Sequence, residues 1–301
     1  MDRRTALAAI GGVALTGAAG CLGDTPGTSD DPETVGEWAD GTIGFGLPPF
    51  QDEEELEQQY SGVFEYLEGR LDGVDAVEGA QSTSYSATVE SVVGGHTELA
   101  NLSPIIYVLA EEDGVGPLAI NWSHGSDAYH TYIATREETG IETLTDLTDR
   151  SIAMVDPLST SGGLFPRYML AEAGLDVGDV ETPPGDLTID WAGGHDAALT
   201  VLENEHVDAA AYGDFQHPDD DSIVKIAESD PIPFDPVVAK PGTPEPIQEE
   251  LIEALLETPE EALEQHRIDR FGEVEPGTYD PVRNVAVEMG VDIETLEPGD
   301  E

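Results

Sequence analysis

Apolar side chains recur at three- and four-residue intervals at Leu56, Tyr60, Val63, Phe64, Leu67 and Leu71. That spacing predicts a helix over 52–71 with its apolar stripe inward and its acids outward. Apolar runs at 42–45 and 74–80 flank it and read as strands. The alternation then continues. Tyr85 opens a helix that ends at Gly94-Gly95, 98–102 is a strand, 105–111 a helix and 118–122 a strand. Residues 129–136 are extended and lead out of this first group. Beyond a turn at 143–149, strands are expected at 152–155, 187–191, 207–211 and 223–227, with a helix over 196–204. Pro231, Pro233 and Pro236 mark a second extended crossing, after which 237–239 can pair back with the first group. Helices follow over 247–256, 259–264 and 279–289. No internal repeat is visible. Strand–helix alternation of this kind predicts an α/β architecture with largely parallel sheets. Two crossings predict two α/β lobes, 41–132 with 233–301 and 133–232, joined by a two-stranded hinge with a cleft between them.

One strand end stands out chemically. The apolar run Ile152-Ala153-Met154-Val155 hands over to Asp156-Pro157-Leu158-Ser159-Thr160-Ser161-Gly162-Gly163, and a helical pattern follows through Leu164, Tyr168, Met169 and Ala173 to a stop at Gly174. A helix start leaves N–H groups without partners and carries partial positive charge. Hydroxyls there can donate to an oxyanion, and glycines let a ligand approach the backbone. The same residues can also act as simple helix caps. Gly193-Gly194-His195-Asp196 repeats the arrangement: His195 can donate an N–H to an anion or sit in a surface turn, and Asp196 suits a first helical turn. Ser84 is placed to cap the helix that Tyr85 opens, and the Tyr85 hydroxyl can point into the cleft or simply pack. Ser103, before Pro104, can cap the next helix, bind ligand, or do both.

Charge narrows the classes. The formal net charge is -53 over 301 residues, and Lys225 and Lys240 are the only lysines. The acids are spread over every expected helix face, which points to adaptation to very high salt. At molar salt the Debye length is about 3 Å, so self-repulsion is screened and an anion can approach. No basic stripe is present to meet nucleic-acid phosphates. The first residues read as targeting. Arg3-Arg4 precede the apolar run 6–19, then Gly20-Cys21, in the manner of a twin-arginine export signal (1–21) ending in a lipobox. Cys21 would carry the lipid. It is the only cysteine, so disulfides within the chain and thiolate metal clusters are excluded. Residues 22–40, rich in Gly, Asp, Thr and Pro, read as a flexible tether to the outer face of the membrane.

The segment from Asp156 to Tyr168 resembles the DP-x-STSG-x-x-x-P-x-Y signature of phosphate/phosphonate/phosphite-type substrate-binding proteins of ABC transporters. Gly193 to Ala198 with Val207-Asp208-Ala209 is similar to their second motif. Ala227-Glu228-Ser229 through Asp235-Pro236 to Val238 is similar to their return crossing, and Tyr85-Ser86-Ala87 and Ser103-Pro104 with 107–110 to their first-lobe motifs. The resemblance implies a type II periplasmic-binding-protein fold in a haloarchaeal-like lipoprotein that is not an enzyme and needs no cofactor or metal. Its ligand would be a phosphonate, phosphate or phosphite, and its partner an ABC permease. The resemblance also assigns roles. Ser159, Thr160 and Ser161 would grip the phosphoryl oxygens, with His195 and Tyr85 as further donors. Asp208 and Asp214 would face a ligand amine, as in aminoalkylphosphonate binders. Asn101, Leu102 and Ile105 replace frequent aromatics and would alter the wall around the other end of the ligand. A tethered sensor of the same ligand is the alternative. A hydrolase built on Ser159 or Ser161 with His195 lacks the G-x-S-x-G context. A metal site at His195, His206, His217 and the acids near Asp219 fits no zinc or calcium spacing.

Overall fold

A computed structural model describes residues 32–47, 49, 53–179 and 182–291; the export signal and Cys21 lie outside the described residues. Part of the stretch expected to be tether is folded. Thr34 caps a short helix, α1 (Val35–Trp38), its hydroxyl accepting from the Glu37 N–H. Val35 is fully buried, and Gly36 lies so close to Gly73 that a Cβ there would sit 2.2 Å from its carbonyl carbon. An apolar side chain beside a glycine thus lets 34–40 dock, despite the polar composition around it.

Lobe 1 continues with β1 (Thr42–Leu47), α2 (Glu53–Arg70), β2 (Ala76–Gln81), α3 (Tyr85–Val93), β3 (Leu99–Asn101), α4 (Pro104–Ala110) and β4 (Gly116–Trp122). The chain leaves through β5 (Ala128–Tyr129) into lobe 2: β6 (Thr131–Arg136), β7 (Ser151–Met154), α5 (Phe165–Glu172), β8 (Thr188–Trp191), α6 (His195–Glu203), β9 (Ala209–Gly213) and β10 (Ile223–Glu228). It returns through β11 (Ile232–Pro233), which pairs antiparallel with β5. Lobe 1 is then completed by β12 (Pro236–Ala239), α7 (Glu245–Leu256), β13 (Arg270–Gly272) and α8 (Asp280–Glu288).

The lobe 1 sheet runs β13-β4-β12-β3-β1-β2 and the lobe 2 sheet β10-β6-β9-β7-β8. Both are mixed rather than largely parallel. Parallel pairs are confined to β3-β1-β2 and β9-β7-β8. The other pairings are antiparallel: the crossings bring β6 and β12 into their sheets against the direction of their neighbours, and β13 runs against β4. β13 has only three residues, one of them Gly272, too short for a period to announce it.

The stripe on α2 does what its spacing demands: Leu56, Tyr60, Val63 and Leu67 are at most 1% exposed, and burying each large apolar side chain contributes roughly 1.5–3 kcal/mol. β9 shows the two-residue period of a sheet covered on both faces. Ala209 and Ala211 join one apolar cluster, Ala210 and Tyr212 another. A further cluster crosses between the lobes, uniting Tyr85, Ile105 and Ile106 with Leu158, Leu164 and Phe165. The lobes therefore meet through an apolar seam beside the loop that carries Ser159.

Candidate functional site

The loop after β7 is held from beneath. Asp156 accepts the Leu158 N–H at 2.8 Å through its carboxylate and the Ser159 N–H at 3.0 Å through its carbonyl. Residues Thr160–Leu164 then form one π-helical turn leading into α5. The Ser159 hydroxyl accepts from Gly162 N–H at 3.1 Å, and its carbonyl takes both Gly163 and Leu164 N–H at 2.9 Å. Ser159 is thus a cap, and the N–H groups of Thr160 and Ser161 are the first-turn donors left for an outside acceptor. π-Turns inside helices are frequent at functional sites. The glycines serve packing here rather than ligand approach. A Cβ on Gly162 would lie 2.1 Å from the Val155 side chain, and one on Gly163 would lie 1.9 Å from the Asp156 carbonyl oxygen.

Six of the expected residues line one cleft: Ser159, Thr160, Ser161, His195, Tyr85 and Ser103. The Tyr85 phenol is pushed well above its usual range, first by burial and then by Asp235 and Asp156, so it stays a neutral hydroxyl. His195, 6% exposed, accepts the Gly213 N–H on Nδ1 at 3.1 Å. The neutral ring therefore carries its proton on Nε2. Burial lowers its pKa to about 4, with Arg267 adding to the shift and Asp196 opposing it. At neutral pH the cleft meets His195 as an uncharged donor.

Two of the six have a different occupation from the one expected. Ser103 does not cap α4; its hydroxyl donates to the Leu158 carbonyl at 3.2 Å. Thr160 Oγ1 accepts from Ile105 N–H at 3.0 Å. Both bonds cross from lobe 1 to lobe 2, so these side chains fasten the lobes while the Thr160 backbone N–H stays available. Leu102 and Ile105 are wholly buried in the apolar seam, and of the three aromatic replacements Asn101 alone faces the cleft.

Asp208 lies elsewhere, and its proposed contact with a ligand amine is corrected. At the far end of β7 it binds Ser151 N and Oγ at 2.9 and 3.0 Å and Arg150 at 3.2 Å. A residue preceding β9 sits at the strand's amino end, opposite the carboxyl ends where these loops gather. Asp214 follows β9 but does not line the cleft; burial raises its carboxyl above the usual range. Its successors Phe215 and Gln216 line the cleft.

The spacing of the motifs did not point to several further lining residues, Tyr129, Asp235 and Asn121 among them. Tyr129, at the first crossing, lines the cleft, and burial raises its phenol far above the usual range. Asp235, at the second crossing, has its carboxyl enclosed by protein apart from the cleft face, and burial raises its pKa to about 7 while an Asn101 bond opposes the shift. Asn121, on β4, donates to Asn101 Oδ1 at 3.3 Å. The one available signal was an acid, Asp235, set directly before the apolar run of β12. His206 and His217 do not approach His195; His217 bonds the Tyr212 hydroxyl at 3.0 Å. Among the described residues no three His, Cys, Asp or Glu side chains converge as a metal site would require.

Two mixed α/β lobes, two antiparallel crossings and a cleft at the strand ends define a periplasmic-binding-protein architecture of type II. The matched family is described as ABC transporter, phosphonate, periplasmic substrate-binding protein, and the match covers residues 45–279. The chain belongs to that family. It is 31% identical over 188 residues to the phosphate-import protein PhnD of Mycolicibacterium smegmatis, covering 60% of this chain and 58% of that protein. Among solved structures it resembles PhnD1 of Prochlorococcus marinus in complex with methylphosphonate, with a TM-score of 0.71 and 16% identity over 83% of this chain and 98% of that one. A binding-protein component of an ABC phosphonate transporter from Pseudomonas aeruginosa gives a TM-score of 0.70 and 17% identity over 83% and 86%. At such identities the structural likeness speaks for the fold alone.

Proposed function

We propose that this protein is the extracytoplasmic solute-binding component of an ABC importer, which holds a phosphonate, phosphate or phosphite in the inter-lobe cleft and delivers it to a membrane permease. In this reading it is exported by its twin-arginine signal and held at the outer face of the membrane by a lipid on Cys21. The observation that carries the reading is the convergence of uncharged donors on one spot: Thr160 and Ser161 N–H, the Tyr85 and Tyr129 hydroxyls, and neutral His195. Tetrahedral oxyanions present several acceptor oxygens, and oriented dipoles at a helix start can offset their charge without a cation. The family and the phosphate-import relative support the same class of ligand.

Closure follows from the two cross-lobe bonds. When Ser103 meets the Leu158 carbonyl and Ile105 N–H meets Thr160, the loop is pressed against lobe 1 and water is driven from the donors. Each remaining hydrogen bond then acts in a lower local dielectric. The ligand can favour the closed form only by its differential affinity for it. Hydrolysis is disfavoured by geometry. His195 Nδ1 is occupied by a backbone N–H rather than a carboxylate, so no acid orients the ring as a Ser-His-Asp base requires.

Melting shifts at molar salt with phosphate, phosphite, methylphosphonate, 2-aminoethylphosphonate and sulfate test the reading. A saturable rise with at least one phosphorus oxyanion is expected, about 2.7 kcal/mol of added stability at a ligand concentration of 100 Kd. No response to any of the four, or a response to sulfate alone, would reject it.

A further inference from the structure

An acid stands in the cleft proposed to take an anion. Asp235, at the second crossing, is half-buried and lines the same cleft as Thr160, Ser161 and His195. Its Oδ2 accepts from Asn101 Nδ2 at 3.5 Å, a long bond. Its Oδ1 accepts from no described residue and is not sealed, so it opens onto the cleft. Among the described residues no cation pairs with the carboxyl. Burial raises its pKa to about 7, so it is charged above neutral pH. The titratable groups packed round it are phenols: Tyr60 on α2, Tyr85 on α3, Tyr129 on β5 and Tyr279 ahead of α8. All are raised by burial and by Asp235 itself, and stay neutral. Elsewhere on the wall Arg267 is paired with Glu55, and Asp196 and His124 are exposed. His195 and His266, each lowered to about 4, are uncharged at neutral pH. A bare carboxylate and an oxyanion meeting here would repel, with no cation to offset either. One proton between them turns that repulsion into a charge-assisted hydrogen bond.

We propose that Asp235 determines specificity, its Oδ1 accepting a hydrogen bond from a hydroxyl on phosphorus, so that the cleft selects ligands that keep a P–OH. The inference rests on the oxyanion site proposed above and narrows its ligand. Phosphate keeps one P–OH even as the dianion. Phosphite, methylphosphonate and sulfate have no hydroxyl as dianions, and bind only if a proton is taken up with them. The favoured ligand at neutral and alkaline pH is therefore inorganic phosphate. The donor loop cannot draw this distinction, because an N–H group meets any acceptor oxygen alike. A carboxylate is acceptor only, so it rejects an oxygen that carries no hydrogen.

Calorimetric titration of the purified full chain at molar salt with phosphate, methylphosphonate, sulfate and 2-aminoethylphosphonate tests this. Between about pH 7 and about pH 9 phosphate affinity should stay within about 3-fold, while methylphosphonate should lose about 10-fold per unit as pH approaches 9. Repeating the titrations in two buffers of different ionisation heat counts the protons: at about pH 9, about one taken up with methylphosphonate and about none with phosphate. Asp235→Asn puts an amide that can donate in place of the acceptor. In that variant the methylphosphonate loss with pH should vanish and sulfate affinity should rise about 10-fold. Parallel pH profiles for phosphate and methylphosphonate in the unaltered protein overturn the proposal and leave the oxyanion site standing. So does 2-aminoethylphosphonate binding at least ~10-fold more tightly than phosphate at about pH 9, since Oδ1 would then serve an ammonium. Binding of none of the four overturns both.

Discussion

Lobe 2 and lobe 1 meet the cleft with different chemistry. Lobe 2 brings donors on a rigid frame: the Thr160 and Ser161 N–H groups and the His195 imidazole, set by a π-turn and by a backbone bond to Gly213. Lobe 1 brings amides and an acid, with Asp235, Asn101 and Asn121 linked in a row and the Tyr85 and Tyr60 phenols beside them. A donor-rich set suits a group with several acceptor oxygens. A mixed set can read a substituent. The contrast teaches that charge class and ligand identity are divided between the lobes, so changes on the two sides should fail differently.

The largest effect is expected in the lobe 2 frame. Gly163→Ala forces a Cβ to 1.9 Å from the Asp156 carbonyl oxygen. Overpacking of this kind costs about 1–3 kcal/mol or more, and binding of every oxyanion should disappear together; circular dichroism melting and titration check both. If ligand binding survived with an unchanged melt, the frame would not be rigid.

Next is pH. His195 and His266 each have a pKa of about 4 against an ordinary 6.5, burial being the main cause. The unfolded chain takes up these protons first as pH falls. Stability is therefore full above about 6.5 and declines from there towards 4, by roughly 3 kcal/mol for each ring at the low end. Asp235, raised to about 7, runs the other way. Its burial costs nothing below about 4, costs more as pH rises, and reaches the full penalty above 7. Asp235→Asn should accordingly raise the melting temperature of the ligand-free protein by roughly 2–5 °C at pH 8, and by much less at pH 5. A rise of equal size at both pH values would show that the carboxyl is not the source.

Thr160→Ala removes the acceptor of the buried Ile105 N–H. Leaving such a donor unpaired costs about 1–3 kcal/mol, charged here to the closed form, so affinity for all ligands should fall about tenfold while Thr160→Ser restores it. The smallest effect sharpens the division by its absence. Asp208→Asn loosens contacts to Arg150 and Ser151, worth about 1 kcal/mol or less for so exposed an ion pair, and titration should find ligand affinity unchanged.

Much of this was legible along the chain because it depends on local chemistry. The period at Leu56, Tyr60, Val63 and Leu67 specified α2, since one face of a helix must be apolar to be buried. The run Ser159-Thr160-Ser161-Gly162-Gly163 announced a helix start rich in donors, because hydroxyls and exposed N–H groups belong to that position whatever surrounds it. What depends on two distant segments was not legible. Nothing in sequence spacing says that Thr160 and Ser103 spend their hydroxyls across the lobes, that Asp208 faces away from the cleft while Asp235 enters it, or that Asn101 and Asn121 form a row behind that acid. Direction of a strand, sharing of a wall and burial of a carboxyl are properties of packed neighbours, and a side chain acquires them only when chain segments tens of residues apart come within hydrogen-bond reach.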